Sequence, residues 1–233
     1  KNSLIDADQF LYKQGRRFDH TKHQKAFSKW KKQYIKEKDA RRKELLLTNA
    51  KKIQRLCKRH ALSIHSMTGD CFMQEPFWKV SGKARTNLQS DFLTIGRACS
   101  SVGIKVLVVP LVDNGRLETR TQEDDLVDFF MAQRPFLNEH GLRVTFESDF
   151  APPELARFIE RLPAKYFGIN YDIGNSAALG FNVVQEFNAY GNRILNVHIK
   201  DRELGGTTVP LGDGNAEFDK VFDGLAKIRY QGN

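Results

Sequence analysis

Three short apolar runs in the C-terminal half of the chain each close on a side chain that can hold a cation or carry a proton. VTFESDF ends on Glu147, with Asp149 beyond it. INYDIGN ends on Asp172, with Asn175 three residues later, and ILNVHIKD carries His198 near its end, then Asp201. Carboxylates at the mouth of a packed sheet are costly unless they are paired or metal-bound. Glu, Asp and His together suit a divalent transition ion such as Mn2+, Co2+ or Zn2+. Each residue taken singly has an ordinary reading: Asp172 can cap a following turn, and His198 can be a hydrogen-bonded core histidine. Their recurrence at the same depth on three successive runs is what singles them out.

Side chains from separate runs share an ion only if the runs lie side by side. From residue 60 onward the chain supplies that arrangement. Short runs rich in β-branched or aromatic residues, SIHSM (63–67), IKVLVVPLV (104–112), LRVTFES (142–148), YFGINYD (166–172) and ILNVHIK (194–200), are bounded by turn or polar signals and read as strands. Apart from Lys105 near its start, IKVLVV is apolar, as expected of a strand covered on both faces. Between the runs lie helical spacings over 84–103, 123–141, 152–163 and 219–230, with Pro135 predicting a kink or early break in the second. Strand then helix, repeated, means parallel βαβ units, and functional residues of such sheets gather at the carboxyl ends of the strands.

The 233 residues allow one large domain or two small ones, and a chain of this length can bury roughly 70% of its unfolded surface, so neither disulfides nor metals are needed merely to fold. Hydrophobic residues at 40% and charged residues at 28% exclude bulk disorder. No apolar run approaches the ~18 residues of a membrane span, and the first residues lack the pattern of a signal peptide. Three widely spaced cysteines without a CxxC fit a reducing cytoplasm. The net charge of +9 is local: residues 1–60 hold 19 of the 37 Lys+Arg but only 6 of the 28 Asp+Glu. The sequence therefore divides into a basic, mostly helical segment, 1–60, and a (β/α) portion, 61–233. Basicity confined to one segment argues against nucleic acid as the partner of the whole protein.

These residues carry a resemblance to the sugar phosphate isomerase/epimerase family, whose members share a xylose isomerase-like (β/α)8 barrel. The matching pieces are VTFESDFAPPEL (144–155), NYDIGNSAALGFN (170–182), ILNVHIKDR (194–202) and PLGDGNAEFDKVFDGLAKIRYQGN (210–233). SIHSMTGDCFM (63–73) and VLVVPLVDN (106–114) match more weakly, and YKQGR (12–16) and QKAFSKWKKQY (24–34) faintly. The resemblance implies that Glu147, Asp172 and His198 are metal ligands, with Glu147 also one of two carboxylates that move a proton. It implies substrate contacts at Asn175, Asp201, Gly212, Asp213 and Gly214, with Asp201 orienting His198 or binding a sugar hydroxyl. The expected cofactor is a divalent ion (Mn2+, Co2+, Mg2+ or Zn2+). The expected partner is a sugar or sugar phosphate, with homo-oligomers possible and no membrane. The expected reaction is isomerisation or epimerisation through an enediolate.

The sequence also departs from that family. The chain stops at 230–233, where an eighth strand is expected to begin; IKEKDARRKE (35–44) stands where a second strand is expected; and QFLY (9–12) is a short first strand. The expected fold is therefore a TIM-barrel-like α/β sheet that is incomplete. Two other readings follow: a metal phosphodiesterase like the abasic-site endonucleases of the same superfamily, and a degenerate or truncated barrel with a binding role. His65 reads as a packed core histidine. Lys79, Lys83 and Arg116 are the loop cations that could meet a phosphate, although solvated surface is the plainer reading of each.

Overall fold

The fold was established from a computed structural model, which describes residues 48–232. The chain divides into two units, Lys1–Thr48 and Asn49–Asn233. Nearly all of the described residues belong to the second unit. The sequence elements expected before residue 48, the faint first strand and helix and the stretch that stands in place of a second strand, lie outside the described residues.

After helix α1 (48–60) the elements alternate: β1 (Ser66–Thr68), α2 (Asp70–Gln74), α3 (Gly82–Ser101), β2 (Val106–Leu111), α4 (Arg120–Ala132), α5 (Arg134–His140), β3 (Arg143–Ser148) and α6 (Pro152–Glu160). Then follow β4 (Phe167–Asp172), α7 (Ile173–Leu179), α8 (Val183–Tyr190), β5 (Ile194–His198), a small hairpin of β6 (Asp201–Arg202) and β7 (Thr208–Val209), and α9 (Phe218–Lys227). Strands β1 to β5 form one parallel sheet in sequential order. Sequential parallel order is what βαβ units joined by same-handed crossovers produce, and it makes this sheet a half-barrel. All five expected runs are strands. The Pro135 break is real: α4 ends at Ala132 and α5 restarts with the proline in its first turn, where a missing N–H costs nothing. The short helices α7 and α8 were not expected from the sequence.

One face of the sheet is apolar and covered by helices. Phe146 packs edge-on against Phe130 and Phe158, with ring centroids 5.3 Å apart in both pairs, and Phe130 also meets Phe167 at 5.8 Å. Tyr171, on the same face, donates its hydroxyl to buried Glu186 of α8 at 2.8 Å, and Ser176 and Tyr190 donate to the same carboxyl. Burial pushes that carboxyl up despite its three hydroxyl donors. The arrangement ties α7 and α8 to the back of β4.

The other face is polar. With a side-chain period of two, Thr145 and Glu147, Asn170 and Asp172, and Asn196 and His198 all point inward. The alternation is uninterrupted along β3 and β4, but β5 needs a correction. Ile169 pairs with Ile194, whereas Asn170 pairs with Asn196, so the register shifts by one residue at Leu195. Without that shift Asn196 and His198 would turn to the helical face. Gly168 permits it: a Cβ there would lie 2.4 Å from Leu195 Cγ and 2.6 Å from the Arg193 carbonyl oxygen.

Candidate metal centre

The strand register places the three expected ligands. Asp172 and His198 are direct neighbours on β4 and β5. Phe146 pairs with Ile169, so Glu147 stands beside Asn170, one layer lower. The ligand atoms of Glu147, Asp172 and His198 lie within 4.8 Å of one another. His198 Nδ1 is 3.3 Å from Glu147 Oε2 and 3.6 Å from Asp172 Oδ2. An ion ~2.0–2.3 Å from each ligand holds those ligands about 3–4.6 Å apart, so the donor set fits a divalent cation with little movement.

The electrostatics agree. Glu147 and Asp172 are 8% and 6% exposed, so two carboxylates face each other in a nearly dry corner. Cations already gather on them. Lys200 Nζ lies 2.9 Å from Asp172 Oδ2. Hydrogen bonds to Asp172 and Glu147 push the His198 imidazole up to about 9, against the opposing cost of burial. Burial works to raise the Asp172 carboxyl, but His198, Lys200 and the Asn175 amide outweigh it and hold the group below its ordinary value.

Asp172 caps a helix with one oxygen and leaves the other in the cluster. Oδ1 accepts the backbone N–H of Asn175 at 2.8 Å and caps α7, while Oδ2 faces His198 and Lys200. Asn175 contacts the cluster through Glu147: its Nδ2 donates to Glu147 Oε1 at 2.6 Å, and its Oδ1 accepts from Lys200 at 3.0 Å and Arg202 at 2.9 Å.

The remaining expected residues serve a loop. Asp201, 1% exposed, is surrounded by backbone amides: Oδ2 accepts from Gly212 and Gly214, both at 2.9 Å, and Oδ1 from Arg202 at 2.9 Å and Ala216 at 3.0 Å. Its burial would raise the carboxyl, but these amides hold it below the ordinary range. The amides of Gly212 and Gly214, two of the residues expected to contact a substrate, both donate to Asp201 in this structure. Gly214 also has no room for a Cβ, which would stand 2.3 Å from Asp201 Oδ1. Among the described residues, the His198 ring bonds the cluster rather than Asp201. Asp213 is exposed in the same loop.

His65 is exposed, not a core residue, and its ring bonds Ser63 at 2.9 Å. Of the loop cations, Lys79 pairs with Glu118 at 3.1 Å and Arg116 with Asp149 at 2.5 Å.

Sequence reasoning missed four polar residues. Asn170 Nδ2 donates to Glu147 Oε2 at 2.8 Å and lies 3.1 Å from His198 Nδ1, and Asn196 donates to Asn170 at 2.6 Å. Both sit two residues before a ligand, so the period of two could have found them. Lys200 and Arg202 follow His198 at the next alternate positions, beyond the end of β5, where strand periodicity no longer licenses a facing.

The family described as xylose isomerase-like TIM barrel matches residues 27–233. An inosose dehydratase from Geobacillus thermodenitrificans is 26% identical over 168 residues, 56% of this chain and 56% of that protein. A putative L-ribulose-5-phosphate 3-epimerase from Escherichia coli is 32% identical over 81 residues, 32% of this chain and 28% of that protein. The matched part of the chain thus spans about half or less of the length of these curated relatives. A xylose isomerase domain protein from Planctomyces limnophilus superposes with a TM-score of 0.66 at 19% identity, covering 80% of this chain and 74% of that one. The IOLI protein, solved with a bound zinc atom, gives 0.63 at 17% identity over 77% and 69% of the two chains. At these identities the structural likeness shows the fold.

Proposed function

The chain belongs to the xylose isomerase-like TIM barrel family, and from that premise we propose that it is a divalent-metal-dependent isomerase or epimerase of a sugar or sugar phosphate. The observation that carries this reading is the convergence of Glu147, Asp172 and His198 on one polar corner at the carboxyl ends of β3, β4 and β5. The names of the curated relatives, a sugar phosphate epimerase and an inosose dehydratase, support the substrate class.

Glu147, Asp172 and His198 would hold the ion. When bound, it supplies the Lewis-acid charge that acidifies a C–H beside a sugar carbonyl. Glu147 is the group that takes the proton. Its two oxygens are fixed by Asn170 and Asn175, which hold the carboxylate in one orientation and so reduce the entropy cost of reaching the C–H. Asn196 orients Asn170 in turn. Return of the proton to the opposite face of the same carbon gives an epimer, and return to the neighbouring carbon gives the aldose–ketose isomer. Loss of a β-hydroxyl after the same first step would instead be dehydration, the reaction named for the relative matched over 168 residues.

Solvent exchange tests the shared step. The Mn2+-loaded protein with a panel of ketoses and ketose phosphates in D2O should incorporate deuterium beside the carbonyl, read by NMR, and Glu147→Gln should slow incorporation by about 100-fold or more. The product distinguishes epimer, isomer and dehydrated ketone. Absence of exchange across the panel in protein that binds Mn2+ overturns the reading.

The phosphodiesterase alternative needs several imidazoles for several zinc ions, and the cluster offers one, His198.

A further inference from the structure

Arg202 ends the first strand of the β6–β7 hairpin, and its side chain turns back toward the Glu147–Asp172–His198 cluster, reaching Asn175. Nη1 donates to Asn175 Oδ1 at 2.9 Å, while Nε and Nη2 converge on the Gly206 carbonyl at 3.2 and 2.7 Å. Lys200 Nζ donates to the same Asn175 oxygen at 3.0 Å. An ammonium and a guanidinium therefore meet at one neutral oxygen, one residue removed from Glu147. Like charges repel at this range, and the repulsion is offset only where an anion sits between or beside them.

Lys200 has such an anion in Asp172. Arg202 does not: among the described residues both of its side-chain acceptors are uncharged oxygens, and two of its five N–H groups remain unspent. Arg134 and Arg193 likewise donate to backbone carbonyls, away from the cluster, whereas five other arginines of the same unit bind carboxylates. Arg85 pairs with Asp125, Arg116 with Asp149, and Arg120, Arg157 and Arg161 with Glu123. A half-buried guanidinium with no carboxylate bonded to it and two N–H groups unspent at the lip of a polar site is suited to an incoming oxyanion, which it can grip with paired N–H groups.

We propose that Arg202, with Lys200 beside it, holds an oxyanion group of the substrate, a phosphate or a carboxylate, so that the site takes anionic sugars in preference to neutral ones. The inference rests on the sugar-site reading above and names its substrate class. The hairpin suits the task. Its tip, with Gly205 at φ +63°, folds so that the Gly206 carbonyl orients one edge of the guanidinium, and Asp201 anchors the hairpin base to the following loop.

Calorimetric titration of the Mn2+-loaded protein tests this with four probes: inorganic phosphate, a ketopentose 5-phosphate, the unphosphorylated ketopentose and the matching aldonate. One or both anionic sugars should bind at least about tenfold tighter than the neutral ketose, and Arg202→Gln should remove that advantage, a loss of about tenfold to hundredfold. The phosphate and aldonate arms identify which oxyanion is read. Arg202→Lys keeps the charge without the fork and should retain part of the preference. A continued rise in Tm on adding Mn2+ certifies that each variant is folded and metal-competent. Should Arg202→Gln not fold, Arg202→Lys and Lys200→Met carry the comparison.

Equal binding of neutral and anionic sugars by the unaltered protein, or a preference that survives Arg202→Gln, overturns the proposal. So does equal weakening of all four probes, which is the signature of a residue that only braces the hairpin. If no sugar binds while inorganic phosphate binds the unaltered protein and not Arg202→Gln, the oxyanion anchor stands and the sugar reading falls. If neither phosphate nor any sugar binds, both fall.

Discussion

Asp172 has a separate set of partners for each oxygen, so its structural role and its proposed role as a ligand can be tested apart. Oδ1 caps α7 and Oδ2 faces His198 and Lys200. Two substitutions separate the roles. Asp172→Asn keeps a cap acceptor, so its metal-free Tm should stay within a few degrees of the original, while the rise in Tm produced by Mn2+ should disappear. Asp172→Ala should lose the same metal response and in addition about 1 kcal/mol of stability from the uncapped helix. Thermal melts of both variants with and without millimolar Mn2+ check the pair. A metal response that persists in Asp172→Asn would remove Asp172 from the ligand set.

At the scale of elements, the site depends on a one-residue slip. The register shift at Leu195 carries His198 from the helical face of the sheet to the polar one. Gly168 makes the space for it, with Leu195 and the Arg193 carbonyl occupying the volume a side chain would need. Gly168→Ala should therefore cost about 1–3 kcal/mol, since the obstacle includes backbone. If the strain relaxes by restoring the regular register, Mn2+ affinity should fall with it, because His198 leaves the cluster. Denaturant melts and metal titration read the two effects separately. A variant as stable and as metal-competent as the original would show that the slip does not depend on this glycine.

At the scale of the whole molecule, the largest ionic network among the described residues ties α4 to α6 and the residue that follows it. Glu123 on α4 is buried among Arg120 of its own helix, Arg157 on α6 and Arg161, which follows the end of α6. Burial works to raise its carboxyl, but hydrogen bonds from Arg157 and Arg161 and the charge of Arg120 overcome this and hold it at about 2, against an ordinary 4.5. Because the folded value is the lower one, its contribution is complete above about 4.5 and is lost as pH falls from there toward 2. Glu123→Gln should destabilise the protein by about 2 kcal/mol at neutral pH. That is less than the roughly 3–5 kcal/mol of fully buried pairs, because the arginines reach solvent. It should also flatten the loss of stability between those pH values, measured by urea melts across the range. No helix among the described residues is long and apolar enough to cross a membrane.

Much of this was written locally in the chain. The five strands, the break before Pro135 and the positions of Glu147, Asp172 and His198 at strand ends follow from hydrophobic spacing and turn residues, which act over a few neighbours. The sequence also contained Asn170 and Asn196, at the alternate positions where the same spacing would have found them. Other features depended on distant parts of the chain meeting. His198 faces inward only because Leu195 bulges over Gly168, a contact between two strands that no single run announces. Gly212 and Gly214, which resemblance assigned to substrate, spend their amides on Asp201 because the loop folds back around that carboxylate. Lys200 and Arg202 reach Asn175 only once β4 and β5 are paired. Local periodicity determines which way a residue points along its own strand, whereas the pairing of strands and the closing of loops determine what it meets there.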